Sequence, residues 1–280
     1  MKPSRARGGP GRGTRLAILL GVVVLVAAGA ALVVLGNAGP QDPPPLAQRV
    51  DPRLPDLSIA PLSELTPALR DDGRRFLRFG VTIVNVGEGD FRLRAGRSHV
   101  LADDWRVVQL VPEAGGGYTE HPTPATLVYG GDGHGHWHVR EVEAHRVETP
   151  DGTVVGEVVK GGFCFFDTTS FAPDLPGAAP AKVYRSEGCG GQLDTRSTMG
   201  LSIGWGDEYP WHLLDQQIEV TDLPDGRYRV RAIADPFGWF DELDETNNEA
   251  WTDIELYESD GLPAIRILGS SEGSSLGPTP

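Results

Sequence analysis

Apolar and polar side chains alternate residue by residue in one segment after another between Leu54 and Leu268. No stretch there sustains a 3.6-residue period, and no internal repeat is present. Residues i and i+2 share one face of a strand, so segments of this kind bury their apolar side chains as strands of a packed sheet. Phe76 to Val86 reads as a strong strand, and in Arg227 to Ala232 three arginines interleave with Tyr228, Val230 and Ala232. Trp105 to Val111, Trp137 to Val147, Thr153 to Val159, Gln216 to Thr221 and Ala250 to Tyr257 continue the series, separated by Gly, Pro and Asp turns. The pattern predicts a mainly β fold, an antiparallel β-sandwich with few short helices, for which Ala60 to Leu69 and Trp211 to Leu214 are candidates. It excludes a collagen-like, coiled-coil or polytopic membrane chain.

The N-terminus has a different character. Residues 1–15 carry Lys2, Arg5, Arg7, Arg12 and Arg15 and no acid, and residues 16–36 run uncharged from Leu16 to Gly36. At about 1.5 Å per residue this run spans a hydrocarbon core of roughly 30 Å as one transmembrane helix. It exceeds the ~7–15 apolar residues of a cleaved signal, which favours an uncleaved signal-anchor. The basic flank then stays in the cytoplasm and everything beyond Gly36 lies outside. Residues 37–54, with Gln41-Asp42-Pro43-Pro44-Pro45, read as an extended Pro-rich spacer, 55–268 as one domain and 269–280 as a disordered Gly/Ser/Pro tail.

That topology sharpens the charge and cysteine arithmetic. The whole chain is formally −14, but its first 36 residues hold five basic groups, so the outer body carries −19. Such a surface repels nucleic acid and anionic headgroups and attracts cations and amines. The chain also has only three lysines, Lys2, Lys160 and Lys182. Two cysteines leave one disulfide or two buried thiols, and an extracytoplasmic body points to a Cys164–Cys189 disulfide.

Four of the seven histidines fall between Gly131 and His145, three of them in Gly133-His134-Gly135-His136-Trp137-His138. On a strand His134, His136 and His138 would share a face, but bonding one ion at about 2 Å requires the chain to curl, which Gly133 and Gly135 permit. His145 lies an odd number of residues beyond His138 and is expected to face the other way, behind the ligands or in the core. Imidazoles suit Cu, Zn, Fe or Ni without choosing among them. A polar strand that binds metal only adventitiously is the simpler alternative. Gly130, His136-x-His138 and Glu143 also resemble the first cupin motif, which would make His136, His138 and Glu143 ligands in a β-barrel metal enzyme.

The segments that follow carry a fuller resemblance. Val159-Lys160-Gly161-Gly162-Phe163-Cys164, Gly200-Leu201-Ser202 running on to Trp205-Gly206-Asp207-Glu208-Tyr209, Gln217-Ile218-Glu219-Val220-Thr221-Asp222 and Asp244-Glu245-Thr246-Asn247-Asn248 come in that order after the histidines. This series resembles the catalytic domain of lysyl oxidases, in a short, prokaryotic-type form. The resemblance implies copper bound by His134, His136 and His138, and a built-in lysine tyrosylquinone formed from Lys160 and Tyr209. It implies oxidation by oxygen of primary amines, including peptidyl lysine of extracellular proteins, to aldehydes with release of hydrogen peroxide and ammonia. Arginine cannot replace the primary amine of Lys160, which gives meaning to a lysine in an arginine-rich chain. Asp207 and Asp215, near Tyr209, are candidates for the base that removes the substrate α-proton.

The acidic stretch 241–248 offers oxygens to calcium, but its spacing is not that of an EF-hand, and a solvated hairpin turn is the simpler reading. With Asn85-Val86-Gly87 it also resembles immunoglobulin-like adhesion modules, which gives a non-enzymatic alternative: a tethered sandwich whose histidines bind metal or a partner.

Overall fold

A computed structural model describes residues 53–272, except 114, 131–133 and 214. The basic flank, the apolar run and all but the last two residues of the spacer lie outside these, as do residues 273–280. Among the described residues no helix is long and apolar enough to cross a membrane.

In chain order the strands begin with β1 (Leu57–Ile59), β2 (Ser63–Leu69), β3 (Arg75–Asn85), β4 (Phe91–Gly96), β5 (Arg106–Pro112) and β6 (Tyr118–Pro122). Next come β7 (Leu127–Tyr129), β8 (Trp137–Val139), β9 (Glu143–Glu148), β10 (Val154–Val159), β11 (Thr169–Ser170) and β12 (Arg196–Leu201). The last are β13 (Trp205–Tyr209), β14 (Gln217–Glu219), β15 (Gly226–Ala234), β16 (Glu249–Ser259) and β17 (Leu262–Ser270). A single 3-10 turn, Ser186–Cys189, is the only helix among the described residues.

The expected antiparallel, mainly β character holds, distributed over four sheets. β3 is the spine of the largest, pairing with β1, β2, β13 and β14, and β11 adds to β13. The others run β10-β9-β15-β16-β17, β12-β4-β5-β6 and β7-β8. One apolar core draws on all four, with Phe79 and Ile83 from β3, Val147 and Val230 from the second, Phe91 and Met199 from the third, and Trp137 and Val139 from the fourth. Phe79 and Phe91 are wholly excluded from solvent, and burying such a side chain is worth about 1.5–3 kcal/mol. Cys164 and Cys189 form the expected disulfide within this core, their Cα atoms 6.0 Å apart.

Four expectations need correction. Residues 60–69 hold no helix: Ser63–Leu69 is strand β2, with Pro67 inside it. β2 is an edge strand on β3, where a proline without an N–H is tolerated, whereas in a helix interior it breaks the backbone ladder. Around Trp211 the chain makes a turn in which Leu213 N donates to Pro210 O (3.1 Å). The strand expected over Trp137 to Val147 breaks into β8 and β9, because Glu141 takes a left-handed conformation (φ 62°). The tail begins later than Gly269, since Gly269 and Ser270 pair with Asp253 and Thr252 of β16.

Candidate active site

The histidine motif is built on a tight connection between β7 and β8, where Tyr129 pairs with Trp137 and Val128 with His138. Gly130 has φ 72°, a conformation that disfavours other residues, and its N donates to His136 O (2.9 Å). Tyr129 Oη donates to Gly135 O (2.8 Å), and Trp137 Nε1 donates to Gly191 O (2.9 Å). Only His138 lies on a strand. His134 and His136 precede it on the loop, so the curl needed for convergence occurs before the strand begins. The three rings sit with centroids 4.5 to 6.3 Å apart, and one ligand nitrogen from each lies within 4.8 Å of the others. With metal–nitrogen bonds of about 2 Å, rotamer adjustment would be needed to bring all three onto one ion. His134 is exposed and His138 buried, which leaves the centre open on one side.

Lys160 follows β10 directly. Its backbone N donates to Glu143 O (2.8 Å), and its side chain is 1% exposed. The ammonium lies 3.4 Å from Glu143 Oε2 and 4.9 Å from the Phe163 ring centroid. With the Gln216 amide set so that its nitrogen donates to Phe79 O (3.1 Å), its oxygen accepts from Lys160 Nζ at 2.7 Å. The decisive contact is the fourth: Nζ stands 3.4 Å from the centroid of the Tyr209 ring. Tyr209 ends β13, opposite Val81 of β3, and is 3% exposed. Its ring stacks on Phe163 (4.2 Å, 28°), and its hydroxyl oxygen accepts from Cys164 N (3.0 Å). The fold thus lays a buried primary amine on the face of a buried phenol. A desolvated ammonium needs such company, and a carboxylate, an amide oxygen and two aromatic faces provide it.

The histidine motif and the lysine segment touch. Val139 and Phe163 exchange two backbone hydrogen bonds of 2.8 Å. A Cβ on Gly162 would fall 2.5 Å from His138 Cβ, so only glycine fits at this crossing.

The remaining candidates separate. Asp207 shares the face of β13 with Tyr209 and is fully buried, and burial raises its carboxyl well above the usual range, which favours the protonated form. Asp215 is half-buried, its Oδ2 3.6 Å from the place of a Cβ on Gly161, beside the lysine segment. His145 is fully buried in the core, packs on Phe79 (4.7 Å) and bonds Glu143 Oε1 through Nε2 (2.5 Å). Glu143 corrects the cupin reading. Its carboxylate is committed to His145 and Lys160 and is absent from the ligand cluster. Burial alone would raise its pKa, but the charges of Lys160 and His145 hold it down, to about 2. Sequence reasoning missed Gln216 and the role of Gly162. The Gly161-Gly162 pair between a β-branched strand and Phe163 was the available signal for the second.

Residues 130–262 match the family model described as lysyl oxidase. Over this segment the chain is similar to the lysyl oxidase family. It is 30% identical over 176 residues, 62% of its length, to lysyl oxidase homolog 3 of Homo sapiens. Over the same share it is 28% identical to lysyl oxidase homolog 4 of Homo sapiens and 30% identical to lysyl oxidase homolog 2 of Gallus gallus. It spans 17–18% of the length of these relatives. The lysyl oxidase segment contains the three histidines, Lys160, Tyr209 and both cysteines. The spine strand β3, whose Val81 backs Tyr209, lies upstream of it.

The acidic stretch is built more tightly than a solvated turn. Asp235, Glu242 and Glu245 bring one carboxylate oxygen each within 4.8 Å of the others. Glu242 is 7% exposed and accepts hydrogen bonds from Leu57 N and Asn248 Nδ2. Burial raises its pKa from 4.5 to about 9, and that of the buried Asp235 also rises. An acid whose folded pKa exceeds its unfolded one binds more protons when folded, so its contribution to stability falls as pH rises between those values. In chelator, melting temperature is therefore expected to fall from about pH 5 to pH 8, and Glu242→Gln to flatten that slope. Thermal melts followed by circular dichroism check this, and an unchanged slope in the variant refutes it.

Proposed function

We propose that the domain is a copper-dependent amine oxidase that converts primary amines to aldehydes with release of hydrogen peroxide and ammonia. The observation that carries this reading is the Lys160 amine 3.4 Å from the Tyr209 ring centroid inside the core. A purely structural lysine has no need of that partner, and neither does an immunoglobulin-like adhesion module. The donor set fits the metal: His134, His136 and His138 would hold copper through three imidazoles, and copper would supply the activation of dioxygen by which Tyr209 is oxidised. Lysine tyrosylquinone, formed from Lys160 and Tyr209, would then supply the carbonyl with which a substrate amine reacts.

The chain's other residues bind and move protons. Asp215, half-buried beside the lysine segment, is better placed than Asp207 to remove a substrate α-proton, because the buried Asp207 carboxyl favours its protonated form. The −19 outer body draws protonated amines toward the site, whether lysine side chains of extracellular proteins or small amines. The apolar run 16–36 would tether the domain outside the cytoplasmic membrane. Calcium at the 241–248 stretch would replace the proton on Glu242, and is expected to raise the melting temperature most at alkaline pH.

Protein matured with copper in air and then digested provides the test. Mass spectrometry is expected to find the peptides bearing Lys160 and Tyr209 joined, together with quinone absorption. Peptides that separate freely, with no absorption, would refute the reading.

A further inference from the structure

Glu143 has no part in the chemistry proposed above, yet its carboxylate is fully buried and is spent on two partners, Lys160 Nζ at 3.4 Å and His145 Nε2 at 2.5 Å. Taking two opposite charges out of water is costly, and moving one proton from Nζ to Oε2 would remove both while leaving the pair neutral overall. Two contacts oppose that transfer: the Gln216 oxygen at 2.7 Å and the electron-rich Tyr209 face at 3.4 Å, which attracts a cation. Oxidising the ring weakens the second, because quinone carbonyls withdraw electrons from the face that holds the ammonium.

We propose that Glu143 positions Lys160 over Tyr209 and accepts its ammonium proton once that ring is oxidised, so that a nucleophilic amine is delivered only to the oxidised ring. The proposal rests on the Lys160–Tyr209 cross-link of the preceding subsection. The steps balance with dioxygen as oxidant. One dioxygen converts the phenol to an ortho-quinone, one oxygen atom entering the ring and the other leaving as water. Lys160 passes a proton from Nζ to Glu143 Oε2, and the freed lone pair forms the N–C bond from the ring face. The displaced ring hydrogen goes to a ring oxygen. Of the two protons still on the nitrogen one leaves to solvent and one stays, and Glu143 returns the proton it took to the second ring oxygen, giving the aminocatechol. A second dioxygen removes two hydrogens as hydrogen peroxide and restores the quinone. An amine poised near van der Waals distance above the ring is aligned for this addition.

The charged and titratable groups facing Glu143 are Lys160 from the end of β10 and His145 from β9 itself. Asp207 on β13 couples to both Lys160 and Glu143. Gln216, which also faces the ammonium, does not titrate.

The experiment follows cross-link formation in the full chain after copper and air are added, by intact mass and peptide mapping, for wild type, Glu143→Gln and Glu143→Asp at several pH values. In wild type the rate is expected to vary little across neutral pH. In Glu143→Gln the oxidised, uncross-linked ring should accumulate, and cross-linking should slow on the order of 10²-fold, recovering as pH rises. Glu143→Asp should restore part of the rate, which a loss of packing alone would not explain. Cross-linking of folded Glu143→Gln at the wild-type rate and pH profile overturns the proposal, and so does equal slowing in both variants with no pH dependence. Absence of any cross-link in wild type overturns the underlying cofactor assignment instead.

Discussion

Replacing Lys160 by arginine is expected to leave a folded, copper-binding domain that forms no cross-link, shows no quinone absorption and oxidises amines more slowly by on the order of 10³-fold or more. Arginine keeps the positive charge that faces Glu143 and the Gln216 oxygen, so the buried acid is not left uncompensated. Its guanidinium stays protonated at any workable pH and cannot add to an oxidised ring. Tyr209→Phe removes the same cofactor from the other side and loses the hydrogen bond from Cys164 N. Intact mass, absorption and amine turnover should fail together in both variants while copper binding persists. Cofactor absorption in Lys160→Arg would sink the assignment.

Gly162→Ala is expected to weaken copper binding at the proposed histidine site without replacing a ligand. The added Cβ would lie 2.5 Å from His138 Cβ and 3.2 Å from its Cγ, and backbone hydrogen bonds between Val139 and Phe163 hold the two segments together. Relief requires His138 or the lysine segment to shift, at about 1–3 kcal/mol and with a 10–100-fold loss in copper affinity. Gly161→Ala is the control, because its Cβ meets nothing closer than 3.6 Å. Competition titration with a copper chelator and thermal melts on both variants decide it. A Gly162→Ala protein that binds copper as tightly as wild type refutes the argument.

The strands with clean alternation, such as 226–234 and 249–259, were legible because one face is buried and the other wet. β13 was not, since Trp205, Gly206, Asp207 and Tyr209 are all buried and its period is hidden. β2 was misread because alternation and helical spacing are hard to separate in a seven-residue stretch, although Pro67 held the answer. At the site, residue types with rare chemistry showed through: three spaced histidines, and a lysine in a chain that prefers arginine. Gln216 did not, because its value depends on a hydrogen bond to Phe79 that only the folded register creates. Glu143 was noticed for the wrong partner, since along the chain it is close to the histidines, whereas in space it faces Lys160.

The paired backbone hydrogen bonds between Val139 and Phe163 join strand β8, which carries His138, to the segment that carries Lys160. Ligation of an ion by His138 would then also restrain the amine against its ring, and the two events would share one coupling free energy. Thermodynamic reciprocity makes the exchange symmetrical: whatever factor a bound ion contributes to ordering the amine, the ordered amine returns to the ion's affinity.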